Sequence, residues 1–213
     1  MTTITPIASE RASVLTDPVQ LLLLTTDGTL TDLLEALNGE KLCAVLLKQE
    51  IAPAETNIDA LTLASGEPLL VREVVLRGQR SGTVYVHAES RIAIERLDDR
   101  IRRGLLTTNV PLGHLWKNNR IETFKEVLGS GIEPSGQLSV YFGISPETPL
   151  LLRSCRVSCG GKPVTLITEH VRRIIIQPRG SWLAFMTTNT LHGAAFSEKT
   201  FLLATARVSQ PAN

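Results

Sequence analysis

Apolar positions recur with a period of two in some stretches of the chain and at helical spacing in others. In Pro68-Leu-Leu-Val-Arg-Glu-Val-Val-Leu76 the period of two aligns Leu70, Arg72, Val74 and Leu76, the mark of a strand with one buried face. Leu150 to Cys159 and Gly161 to Arg173 read as two more strands, joined at Gly160-Gly161 into a β-hairpin. Alternation groups Leu151, Arg153, Cys155 and Val157 on one face of the first, and Ile167, Glu169 and Val171 on one face of the second. Lys41 to Ile51 predicts a further strand. Thr83 to Arg91 predicts one that pairs antiparallel with the Arg72 strand across a turn between Gly78 and Gly82. Arg120 to Val127 reads as a strand whose charge spacing also allows a helix.

Helical signals lie elsewhere. Asp17-Pro18 starts a short helix, with Asp as N-cap and Pro at the first helical position. Leu30, Leu33, Leu34 and Leu37 follow the i, i+3, i+4, i+7 rule between a capping Thr29 and a terminating Asn38-Gly39. Ile94 to Leu106 carries helical spacing with a charged, solvated face. Residues 52–66 predict a polar link or short helix, and residues 129–136 a Gly/Ser/Pro-rich loop. Around Asn109 to Leu115, Pro111 halts regular structure and Gly113 admits close approach of a ligand or another strand. Five to seven strands with a few helices and no βαβ alternation predict an α+β fold, a mostly antiparallel sheet in a single domain. That domain is expected over residues 17–213, after a flexible N-terminus of residues 1–16. Trp182, Phe185, Phe196 and Phe201 make residues 178–213 too aromatic for a solvated tail, and Phe201 to Val208 predicts one last strand.

Composition narrows the function classes. The chain has 213 residues, enough for one sizeable core. Its net charge of +1, with both signs interspersed, lacks the basic stripe of a nucleic-acid binder or the polybasic run of a membrane-surface protein. Met1 to Asp17 has no signal-peptide pattern, and Leu21 to Leu24 is too short for a membrane span. A cytoplasmic protein is the expectation, with Cys43, Cys155 and Cys159 as reduced thiols. Gly-rich phosphate loops, nucleophile elbows and His/Cys metal clusters are missing from the sequence, and His87, His114, His170 and His192 are scattered. Any chemistry is therefore expected to run on arginine, glutamate and backbone groups, without metal or cofactor.

Two residues break the apolar pattern. Glu169 is a carboxylate among aliphatic neighbours, a setting that disfavours its charged form. Arg72 is a guanidinium on an apolar strand face, and such a cation needs an anion from the protein or from a ligand. Either the two pair with each other, or they mark a pocket for a small anionic molecule. Free N–H groups at the start of the Thr29 helix could hold a carboxylate.

Four blocks in order resemble the chorismate pyruvate-lyase (4-hydroxybenzoate synthase) family, most closely its actinobacterial and cyanobacterial branch. They are Asp27-Gly-Thr-Leu-Thr31, Arg72-Glu-Val-Val-Leu76, Pro111-Leu-Gly113 with Arg120-Ile-Glu-Thr-Phe-Lys-Glu126, and Gly161-Lys-Pro-Val with Thr168-Glu-His170. Together they span residues 21–175. The resemblance implies a six-stranded antiparallel sheet flanked by helices, and a cofactor-free lyase that turns chorismate into 4-hydroxybenzoate and pyruvate. It implies that Arg72 grips the ring carboxylate and that Glu169 lies at the oxygen on the opposite ring carbon. It places backbone groups around Leu30, Thr31, Leu112 and Gly113 at the substrate. Arg153, on its own apolar face, is a candidate for the pyruvyl carboxylate, with a structural ion pair as its other reading. Residues 129–149 and 178–213 have no clear counterpart in the family. A non-catalytic domain of the same fold that senses an aromatic acid, or an enzyme for a different chorismate relative, is the alternative.

Overall fold

The computed structural model describes residues 17–174. The expectations of a flexible N-terminus over residues 1–16 and of a last strand within residues 178–213 lie outside the described residues. Helix α1 (Pro18–Thr25) starts as its sequence predicts: the Asp17 carboxylate accepts from the Val19 N–H at 2.9 Å. Helix α2 (Leu30–Asn38) stops at Gly39 in the left-handed region. Six strands follow, β1 (Leu42–Pro53), β2 (Pro68–Gly78), β3 (Val84–Ile92), β4 (Thr123–Pro134), β5 (Pro149–Cys159) and β6 (Lys162–Arg172). They form one sheet in the order β1-β2-β3-β6-β5-β4, and every neighbouring pair is antiparallel. Two three-stranded meanders thus meet at β3 and β6. The tight β5–β6 turn needs positive φ at both central residues, and Gly160 (+55°) and Gly161 (+76°) adopt it without a Cβ penalty.

Helices α3 (Asp99–Thr107) and α4 (Leu112–Asn118) fill the crossover from β3 to β4. They cover one half of a sheet face through Leu70, Ile92 and Val157, while α1 and α2 cover the other half through Val74, Leu76, Val86 and Val171. The far face is more polar. There His87 and His170 lie opposite each other on β3 and β6, each 2.7 Å from a glutamate, Glu73 and Glu133 respectively. Tyr141 of α5 (Ser139–Phe142) stacks on His87.

Three local expectations change. Residues 129–134 are strand, not loop: β4 absorbs Gly129, Ser130 and Gly131 after a bulge at Leu128, which an edge strand tolerates. Pro111 begins a helix instead of ending regular structure, because a proline costs little where the helix has no N–H partner to lose. The helix expected from Ile94 starts only at Asp99, where the Asp98 side chain accepts from the Arg100 N–H, with a single 3-10 turn before it.

Candidate active site

Where the two helix pairs meet, they leave a cavity of about 310 Å³ over the sheet, a size suited to a small ligand. The floor is Arg72, Val74 and Leu76 of β2, Ala88 and Ser90 of β3, and Ile167 and Glu169 of β6. The start of α2 with its preceding loop (Asp27 to Thr31) and the start of α4 (Leu112, Gly113, Trp116) form the walls. Gly113 is where the walls touch: a Cβ there would stand 2.8 Å from Thr29 Cγ2. Of the two partners the sequence allowed, a ligand or another strand, the protein neighbour is instead the start of another helix, while Gly113 also lines the cavity. Thr29 makes no side-chain cap, which leaves the first N–H groups of α2 free at the cavity wall.

Arg72 is 3% exposed and lies on the cavity floor, yet its Nε and Nη2 find no partner among the described residues. Its ladder neighbours Gln49 and Ser90 are neutral. Burial with no carboxylate nearby pulls the guanidinium below its ordinary range. A desolvated cation with idle donors is costly unless an anion arrives.

Glu169 does not pair with Arg72. Its partner is Arg153, directly across the β5–β6 ladder, with Nε 2.6 Å from Glu169 Oε2. Arg153 is fully buried and its Nη1 also donates to the carbonyls of Leu23 (3.0 Å) and Thr26 (3.1 Å), tying β5 to the end of α1. Of the two readings of Arg153 the structure shows the ion pair: its Nε and Nη1 are bonded inside the protein, and although its Nη2 has no partner among the described residues, the side chain does not line the cavity. The pair also corrects the picture of Glu169 as an isolated carboxylate. Glu169 Oε1 takes no hydrogen bond from the described residues and remains an acceptor on the cavity floor.

The structure therefore gathers Arg72, Glu169, Leu30, Thr31, Leu112 and Gly113 around one cavity. The sequence reading passed over Ser90, Trp116, Thr123 and Lys125, which line it too. Trp116 carries a buried indole N–H without an acceptor among the described residues. Ser90 was readable from the β2–β3 pairing; Lys125 was not, because its segment had two readings. Asp32, Glu35 and His114 form a cluster with one ligand atom each within 4.8 Å. Lys117 lies 2.8 Å from Asp32 and Lys41 2.6 Å from Glu35, so the charge a hard cation would need is already matched. The Lys117 ammonium holds the Asp32 carboxyl below the usual carboxylate range.

Comparison with known proteins bears on the family and the fold. A family model described as "Chorismate pyruvate-lyase Rv2949c-like" matches residues 24–175. A chorismate pyruvate-lyase of Mycobacterium tuberculosis (strain CDC 1551 / Oshkosh) is 31% identical over 160 residues, covering 73% of this chain and 80% of that protein. The chorismate pyruvate-lyase of Mycobacterium leprae is 31% identical over 158 residues, covering 73% and 75%. Among solved structures, the effector domain of PhnF from Mycobacterium smegmatis shares the fold, with a TM-score of 0.54 at 17% identity, over 70% of this chain and 91% of that one.

Proposed function

The chain belongs to the chorismate pyruvate-lyase Rv2949c-like family, and on that footing we propose that it splits chorismate into 4-hydroxybenzoate and pyruvate in the cavity around Arg72. The observation that carries the proposal is the buried guanidinium without a protein anion, facing a cavity whose floor also bears the acceptor Glu169. The two residues sit two strands and two residues apart, about 12 Å between Cα atoms from ladder spacing. Side chains reaching in from both ends leave room for one ring with a carboxylate at one end and a hydroxyl at the other.

In this reading the Arg72 fork takes both oxygens of the ring carboxylate, and the free N–H groups of α2 add to the field that holds it. Glu169 Oε1 accepts from the ring hydroxyl, and Arg153 keeps that carboxylate in place. The reaction breaks the ether bond between ring and enolpyruvyl group and removes the hydrogen from the hydroxyl-bearing carbon, which gives the ring its third double bond. The departing enolpyruvate takes up one proton at its methylene and becomes pyruvate, so protons balance. Aromatisation drives the step, and the site need only bind, orient and neutralise charge. No cofactor is required by this chemistry.

The likeness to the PhnF effector domain favours a second reading, a sensor that binds an aromatic acid without turning it over. Purified protein mixed with chorismate and a metal chelator, followed by chromatography, separates the two. Equal amounts of pyruvate and 4-hydroxybenzoate support the lyase. Tight binding of 4-hydroxybenzoate with no turnover supports the sensor, and neither result means that the cavity serves another acid.

A further inference from the structure

Chorismate carries a second carboxylate, on its enolpyruvyl side chain, and Arg72 can serve only one. Arg153 is excluded, being enclosed with Glu169 and the carbonyls of Leu23 and Thr26. Two other cations line the cavity, Lys117 and Lys125. Lys117 is matched by Asp32 at 2.8 Å. Lys125 makes no ion pair among the described residues; its Nζ has one long contact, 3.4 Å, to the Gly28 carbonyl.

The position of Lys125 follows from the ladder. It lies opposite Val157 on β5, so its side chain rises from the same sheet face as Val157, which lines the cavity. Thr123, two residues earlier on this edge strand, lines it as well. The Lys125 ammonium ends at Gly28 in the α1–α2 loop, and therefore spans the rim between β4 and that loop. The side chain is half-buried, partly stripped of water, and holds a weak neutral acceptor that a carboxylate can displace.

Building on the lyase reading, we infer that Lys125 binds the enolpyruvyl carboxylate of the substrate and sets the preference of the site for a dicarboxylate over the monocarboxylate product. Cleavage separates the two charges: pyruvate leaves the rim with the carboxylate that Lys125 held, and 4-hydroxybenzoate keeps only the deeper contacts.

The test compares wild type, Lys125→Met (which keeps the aliphatic stem) and Lys125→Arg. For Lys125→Met, kcat/KM for chorismate should fall on the order of tenfold, mainly through KM, as suits a half-buried charge pair. The Kd for 4-hydroxybenzoate should stay within about twofold, and Lys125→Arg should restore most of the loss. Unchanged kcat/KM in Lys125→Met, or an equal loss of affinity for 4-hydroxybenzoate, would overturn the assignment. If wild type binds chorismate without splitting it, the lyase reading fails, and the same comparison made as chorismate Kd by calorimetry still decides the role of Lys125. Wild type that neither splits nor binds chorismate overturns both.

Discussion

Arg72→Met should leave the protein folded and abolish tight binding of 4-hydroxybenzoate, whereas Arg153→Met should unfold it or bring it close to unfolding. Arg72 is 3% exposed and has no protein partner for Nε or Nη2 among the described residues. Methionine keeps the buried stem and removes a desolvated charge, so the stability of the empty protein should be unchanged or higher, by up to about 2 kcal/mol. Binding should fall by about 2–5 kcal/mol, the usual loss when one partner of a buried charge pair is removed, which is roughly 30- to 4000-fold in Kd. Arg153→Met is the reverse case. It leaves Glu169 without counter-charge and the Leu23 and Thr26 carbonyls without their donor. That should cost about 3–5 kcal/mol, a large part of the 5–15 typical of a domain. Urea unfolding followed by circular dichroism gives the stabilities, and titration calorimetry with 4-hydroxybenzoate gives the affinities. A loss of more than about 2 kcal/mol of stability in Arg72→Met, or unaltered affinity in that variant, would refute the view that Arg72 waits for a ligand anion.

Two further outcomes follow from close contacts. Gly113→Ala would place a methyl 2.8 Å from Thr29 Cγ2, forcing the two helix starts apart and lowering chorismate kcat/KM on the order of 10- to 100-fold with little change in Tm. Adding Thr29→Ser removes the clashing methyl and should restore the rate in the double variant; no restoration would place the defect elsewhere. Away from the cavity, the Ser81 hydroxyl (2.7 Å) and Ser81 N–H (3.1 Å), with the Tyr85 hydroxyl (2.9 Å) and Arg80 N–H (3.1 Å), push the Glu40 carboxyl down to about 2 from 4.5. A folded-state value below the unfolded one gives stability that is complete above pH 4.5 and lost as pH falls toward 2. Glu40→Gln should therefore flatten the acid limb of a stability–pH profile over that interval, and a profile parallel to wild type would remove Glu40 from the account.

Much of the sheet was legible because three of its strands alternate cleanly. Arg72 and Glu169 stood out for the same reason, each being a charge at a position where the period demands an apolar residue. The Arg153–Glu169 pair was hidden by one residue. The Gly160-Gly161 turn sets Cys159 opposite Lys162, and continuing that register would put Arg153 across from Thr168. A bulge between Val157 and Ser158, opposite the N–H-less Pro163, shifts the ladder and brings Arg153 onto Glu169. Composition misled at Gly129, Ser130 and Gly131, where an edge strand accepts residues that usually signal a loop. Lys125 stayed out of view because only the strand assignment of its segment, with the β4–β5 register, says which face it takes. What the alternation could not supply was the counter-ion inventory, which of Arg72, Arg153, Lys117 and Lys125 is spent inside the protein and which is free for a ligand.

A crystal structure of the protein with 4-hydroxybenzoate bound tests the central claim most directly. The account predicts the carboxylate at hydrogen-bond distance from Arg72, bridging the Nε and Nη2 atoms that have no protein partner, with the hydroxyl on Glu169 Oε1 and the Glu169–Arg153 pair intact. A carboxylate seated on Lys117 or Lys125 with Arg72 still empty, or an Arg72 that turns away to a protein acceptor, would contradict it.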